Sequence, residues 1–222
     1  MTYETLELEM ARDCFGYGRW DAPYWFFGPE QGKGKAELDG NDLRARAWLE
    51  LGKTELCDCL EFHAQIGDMS WHTGKPSLQR TWRPLILLLK AFLDQPSDLE
   101  SLRAYQRDRW GRVKERETCV VELSGLAARS LREPVDRVRF REERVRTIRQ
   151  RMLFSKPIFI VMYGLNERSA WENIAGCPLV RDGVVKVGQT MIAFAPHPQD
   201  HGRRNSDWTD LGAKLRLESR RI

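Results

Sequence analysis

The chain is poor in several things that would have set its class at once. No apolar run is long enough for a bilayer, since Leu85 to Leu89 falls far short of the roughly twenty residues a spanning helix needs. No N-terminal stretch joins a basic start to an apolar segment, so a cytoplasmic protein with no membrane partner is expected. Cysteines number five, an odd count without a C-x-x-C pair, which argues against a disulfide framework and against iron–sulfur or ribbon-type zinc sites. Cys57-Asp58-Cys59 with His63 and His72 has donor atoms for a metal, but a one-residue gap between cysteines is poor for chelating zinc; neither metal nor cofactor is expected. Internal repeats and low-complexity tracts are also lacking. Neither sign of charge dominates, with 36 basic against 32 acidic residues and a net charge of +4. That balance permits nucleic-acid binding without requiring it.

What is present suits one compact domain over residues 1–222, with 41% apolar residues to build its core. Four apolar, β-branched or aromatic segments read as strands: Tyr24 to Phe27, Thr118 to Leu123, Pro157 to Tyr163 and Thr190 to Ala195. Helical patterns separate them, at Glu4 to Cys14, Ala36 to Leu51, Trp82 to Leu93, Asp98 to Arg112, Glu167 to Ile174 and a closing segment with Ser206 as candidate N-cap. Phe15-Gly-Tyr-Gly18 reads as a turn, and Asp182-Gly183 as a hairpin turn between Leu179 to Arg181 and Val184 to Val187. Alternating strands and helices predict an α/β fold, a three-layer α/β/α arrangement around a mostly parallel four-stranded sheet.

The basic residues concentrate in Asp136 to Met152, where arginines far outnumber lysines. Val138, Val145, Ile148 and Met152 fall on one helical stripe, so a solvated crossover helix is favoured over a DNA-binding surface.

Two short motifs hold the chemistry. Phe27-Gly28-Pro29-Glu30-Gln31-Gly32 follows the first strand, and Pro196-His197-Pro198 follows the last. Loops beyond the carboxyl ends of parallel strands are where such folds work, so a carboxylate and an imidazole are expected at one sheet edge. The glycine loop with Lys33 and Lys35 has the residue types of a phosphate cradle, but not the spacing. A Walker A loop needs G-x-x-x-x-G-K-[ST]; Pro29 stands where its first glycine should be and Ala36 where its hydroxyl should be. Glu30 inside the loop would also repel a polyphosphate. Cleavage of an N-glycosidic bond suits the pair better. The sugar becomes cationic beside a carboxylate, and the departing base becomes anionic beside an N–H donor.

With its motifs taken in order, the chain resembles the uracil-DNA glycosylase superfamily. The matching segments are Phe26-Phe27-Gly28-Pro29-Glu30-Gln31-Gly32, Val120-Val121-Glu122-Leu123-Ser124-Gly125, Phe159-Ile160-Val161-Met162-Tyr163-Gly164 and Ala195-Pro196-His197-Pro198-Gln199, and residues 20–219 thread onto that order. The resemblance implies a metal-free DNA glycosylase, a monomer whose partner is DNA carrying a damaged or modified base. Glu30 falls where the family places its water-activating carboxylate, and His197 where it holds the uracil O2. Gly28, Pro29, Gln31, Glu122 and Ser124 would line the base site. Lys33, Lys35, Gln199, His201, Arg203 and Arg204 would meet the DNA, with His201 or Arg203 as the wedge. The family's base-reading Asn is absent near Glu122 to Ser124, so the base need not be plain uracil. Trp48, Trp71 and Trp82 are all available to stack on it. Two other classes stay open: a binding module without cleavage, and a hydrolase of free nucleosides.

Overall fold

The computed structural model describes residues 3–32, 41–128 and 136–220. The four anticipated strands are there and adjoin one another. They are β2 (Tyr24–Gly32), β4 (Thr118–Ala128), β5 (Phe159–Tyr163) and β7 (Thr190–Ala195), all mutually parallel in the order β4-β2-β5-β7. The sheet is nonetheless seven-stranded and mixed, which corrects the four-stranded expectation. β1 (Gly16–Gly18) runs antiparallel to β4, β3 (Leu56–Cys57) pairs parallel with β1, and β6 (Gly183–Val187) runs antiparallel to β7.

Two of the added strands, β1 and β3, were missed for local reasons, and the third, β6, was read at Val184 to Val187 with the wrong partner. β1 and β3 are three and two residues long, too short to show a period of two. Gly16–Gly18 of Phe15-Gly-Tyr-Gly18 is thus a strand between β3 and β4 in place of the expected turn. The β6–β7 hairpin turns at Gly188-Gln189, since Val187 pairs with Thr190; Asp182-Gly183 instead opens β6.

Eight α-helices complete the described chain: α1 (Tyr3–Asp13), α2 (Asp42–Glu50), α3 (Cys59–Gln65), α4 (Trp82–Leu93), α5 (Leu99–Asp108), α6 (Arg141–Ser155), α7 (Arg168–Ala175) and α8 (Asn205–Ser219). Asp98 caps α5 by accepting from Ser101 N–H, as its side chain and position favour. The closing helix begins earlier than Ser206; Asp207 accepts from the Arg204 N–H at its start.

Alternation along the strands sorts side chains onto two faces. Phe26, Val120, Phe159, Val161, Met191 and Ala193 pack with α1 to α5 and α8 on one side. Trp25, Phe27, Val121, Ile160, Met162, Ile192 and Phe194 pack with α6 and α7 on the other. Phe26 and Phe27 are therefore core residues, each fully buried. α4 is apolar nearly all round, and α8 crosses it at Gly212, where a Cβ would collide with the Leu88 carbonyl.

The arginine-rich segment becomes α6 only from Arg141. Val138 lies in the preceding turn and is 69% exposed, so the predicted apolar stripe shortens to Val145, Ile148 and Met152. Arg144 departs furthest from expectation. Fully buried, it donates to the carbonyls of Leu123, Ala11, Cys14 and Glu122 and lies over the Phe15 ring. Burial pushes its pKa down to about 10.

Candidate functional site

Parallel strands that share a direction end at the same edge, and the register here brings one residue from each to a common floor. Gly28 pairs with Glu122 across β2–β4, and Tyr163 pairs with Ala195 across β5–β7. Above this floor opens a cavity of about 600 Å³, lined by Pro29, Glu30, Glu122, Tyr163 and His197 from the sheet edge, and by Trp71 and Trp82 from the crossover. Gly28 is not itself part of the lining but packs against two residues that are. A Cβ there would overlap both Tyr163 Oη and Glu122 Oε2.

His197 is held by its own loop. Its Nδ1 accepts from the Gln199 N–H at 3.2 Å, which leaves the proton of a neutral ring on Nε2. Its ring meets Tyr163 edge-on at 5.6 Å. Burial lowers its pKa, with Asp200 opposing, so the ring is neutral at pH 7 and Nε2–H is a donor.

Glu30 is ion-paired with Arg137, whose Nε and Nη2 both reach its carboxylate. That partner comes from the segment that the sequence reading treated as solvated. Gln31 is held by Arg44, which also donates to the Gly32 carbonyl at 3.0 Å.

Glu122 is the most unusual group. It is 7% exposed, and its Oε2 has no hydrogen-bond partner. Desolvation first, then the Glu30 charge, push its pKa up to about 8 against the pull of Arg144 and Arg44. At neutral pH it is a carboxylic acid.

The remaining expected site residues scatter. Ser124 does not line the cavity: it is buried and bonded to Leu126, accepting from its N–H and donating to its carbonyl. A base-reading role for Ser124 is thereby corrected, because the strand carries it past the floor. Arg203 is spent internally, paired with Asp182 and stacked 4.6 Å over Trp208, with its side chain 6% exposed. Neither a DNA contact nor a wedge fits that burial. His201 and Arg204 are exposed at the surface, and Gln199 reaches Thr81 Oγ1 at 2.8 Å beside the cavity. Lys33 and Lys35 lie outside the described residues. Of the three tryptophans, Trp48 is core, donating to the Thr54 carbonyl, whereas Trp71 and Trp82 form an edge-to-face pair on the cavity wall.

Among the described residues one group has the donor set for a metal: Cys59, His63 and His72, with ligand atoms within 4.8 Å of one another. Cys57 is not part of it, and Asp58 caps α3. His63 Nδ1 lies 2.7 Å from the Cys59 carbonyl, a hydrogen bond that fixes the ring, and burial pushes its pKa down to about 3. The group is thus tied together as a neutral hydrogen-bonded cluster, with His63 on the cavity wall.

Tyr163, Arg137 and Arg44 escaped sequence reasoning as site residues. The first ends an apolar strand and the other two sit in helical or arginine-rich stretches, so nothing local marks them. No protein-family model matches the chain, and no curated protein matches it in sequence.

Proposed function

We propose that this protein is a DNA glycosylase that hydrolyses the N-glycosidic bond of uracil or a related modified base after drawing the nucleotide out of the stack, with a fold of the uracil-DNA glycosylase kind. The observation that carries the reading is the meeting of Glu30 and His197 in one cavity, from motifs at opposite ends of the chain. The cavity is open to a flat ring between aromatic walls, and its polar groups converge from four strand ends, as a base pocket requires.

In this reading the His197 Nε2–H donates to the base oxygen on which negative charge grows, and Trp71 or Trp82 stacks on the ring. Glu30 stabilises the cationic sugar and orients the attacking water. No metal enters the reaction. Glu30→Gln is expected to slow base release from uracil- or hypoxanthine-containing oligonucleotides by about 10²- to 10⁴-fold while DNA affinity changes little. Single-turnover cleavage assays and filter binding measure the two quantities separately, and equal losses in both would remove Glu30 from the chemistry.

The Glu30–Arg137 ion pair favours a second reading, a binding module in which that carboxylate is structural. Salt-sensitive DNA retention with no base released from any modified oligonucleotide would select it.

A further inference from the structure

Glu122 is not needed for the two-residue chemistry above, yet it is a buried carboxyl group in the cavity lining. Glu30 pairs in register with Ser124, two residues beyond the Gly28–Glu122 level, which places it about 7 Å further along the strands toward the mouth. A nucleotide drawn in base-first would set its ring on the floor by Glu122 and its sugar by Glu30. Two carboxyl groups thus face different parts of one substrate.

We propose that Glu122 is the general acid of the site, protonating the departing base while Glu30 serves the sugar and water. The assignment rests on the glycosylase reading and deepens it. Its geometric basis is the place of Glu122 in the cavity lining, the burial of its side chain, and an Oε2 tucked against Gly28 beside Tyr163 with no hydrogen-bond partner. The charged and titratable neighbours are Glu30 from β2, Arg44 from α2, Arg144 from α6 and Tyr163 from β5. Of these, Arg144 donates its Nη2 to the Glu122 backbone carbonyl and Arg44 donates to Gln31 and the Gly32 carbonyl, while Arg137, outside this set, is directed to Glu30. No ion pair among the described residues includes Glu122. Glu30 faces a guanidinium whereas Glu122 has no ion pair among the described residues, and a carboxyl group without a cation is the one suited to give up a proton to the base.

The step balances. The C1′–N bond breaks with its electron pair going to the base, and the Glu122 O–H proton moves to that base. Water adds its oxygen to C1′ and gives its proton to Glu30. Passage of that proton back to Glu122, directly or through solvent, restores both groups.

The test is a leaving-group series with the full-length protein: oligonucleotides carrying uracil and 5-fluorouracil, whose anion is the more stable, assayed by single turnover from pH 6 to 10 for wild type and Glu122→Gln. Glu122→Gln is expected to lose about 10²- to 10⁴-fold on uracil and at least about tenfold less on 5-fluorouracil. The wild-type rate on uracil should fall about tenfold per pH unit above about pH 8, and less steeply on 5-fluorouracil. The wild-type pH comparison stands even where the variant fails to fold. Base release with the same alkaline profile for both leaving groups would overturn the acid role alone. No release from either substrate at any pH would overturn it together with the glycosylase reading.

Discussion

Folding carries the acidic side chain of Glu122 into a place where its charge has no compensating partner. The native state therefore keeps a proton that the unfolded chain gives up. Between the ordinary glutamate value of 4.5 and about 8, the native state binds more protons than the unfolded state, so stability falls as pH rises through that window. Glu122→Gln removes the titration. Its stability advantage over wild type is expected to grow from pH 5 to 8 and to level off beyond, reaching on the order of a few kcal/mol in urea denaturation. A constant difference across that range would mean that Glu122 is ionised in the native protein. The sequence marks Glu122 only as a polar residue inside an apolar strand; what raises its pKa is burial under Tyr163 and Gly28, and then the charge of Glu30, all brought by the approach of β2 and β5. Glu30 and His197, by contrast, stand out in sequence because each sits among glycines or prolines just after a strand.

Among the elements, α6 shows how far tertiary context can override composition. Its arginines read as a charged solvent face, yet several are fastened to the fold. Arg144 bonds to carbonyls of α1 and β4, Arg149 to the Asn173 and Ile174 carbonyls at the end of α7, Arg141 to Glu167, and Arg151 to Glu55. Five N–H donors in a planar fork suit convergent carbonyls, which a single ammonium cannot reach together. Arg144→Met is expected to destabilise the protein by about 3–5 kcal/mol, because the carbonyls it serves are buried and would be left without donors. Arg144→Lys should recover little of that loss. Chemical denaturation checks both, and a loss under about 1 kcal/mol would mean that water replaces the guanidinium. The strands were legible where they are long and buried on both faces. β1 and β3 were not, and β6 was read at Val184 to Val187 but with the wrong hairpin partner, because short strands are defined by what they pair with.

At the scale of the molecule, a net charge of +4 is spread over many internal pairs, including Arg112–Asp58, Arg137–Glu30 and Arg203–Asp182. Arginines held this way are not free to displace counterions from DNA. Under the glycosylase reading, the logarithm of the DNA affinity against that of salt is expected to have a slope no steeper than about −4. Fluorescence anisotropy across a salt series measures it, and a much steeper slope would call for a broader phosphate-binding face. No helix among the described residues is long and apolar enough to cross a membrane.

The sequence by itself determined the α/β class, the four parallel strands and the two loops that follow the first and last of them. Each of these rests on local signals: β-branched and aromatic runs, helical spacing between them, and the backbone demands of glycine and proline. The tertiary structure alone decided the seven-stranded sheet, the burial of Arg144 and Arg203, the choice of Trp71 and Trp82 over Trp48 for the cavity wall, and the protonation of Glu122. These depend on which residues distant in the chain become neighbours, and desolvation and charge pairing act only once they have.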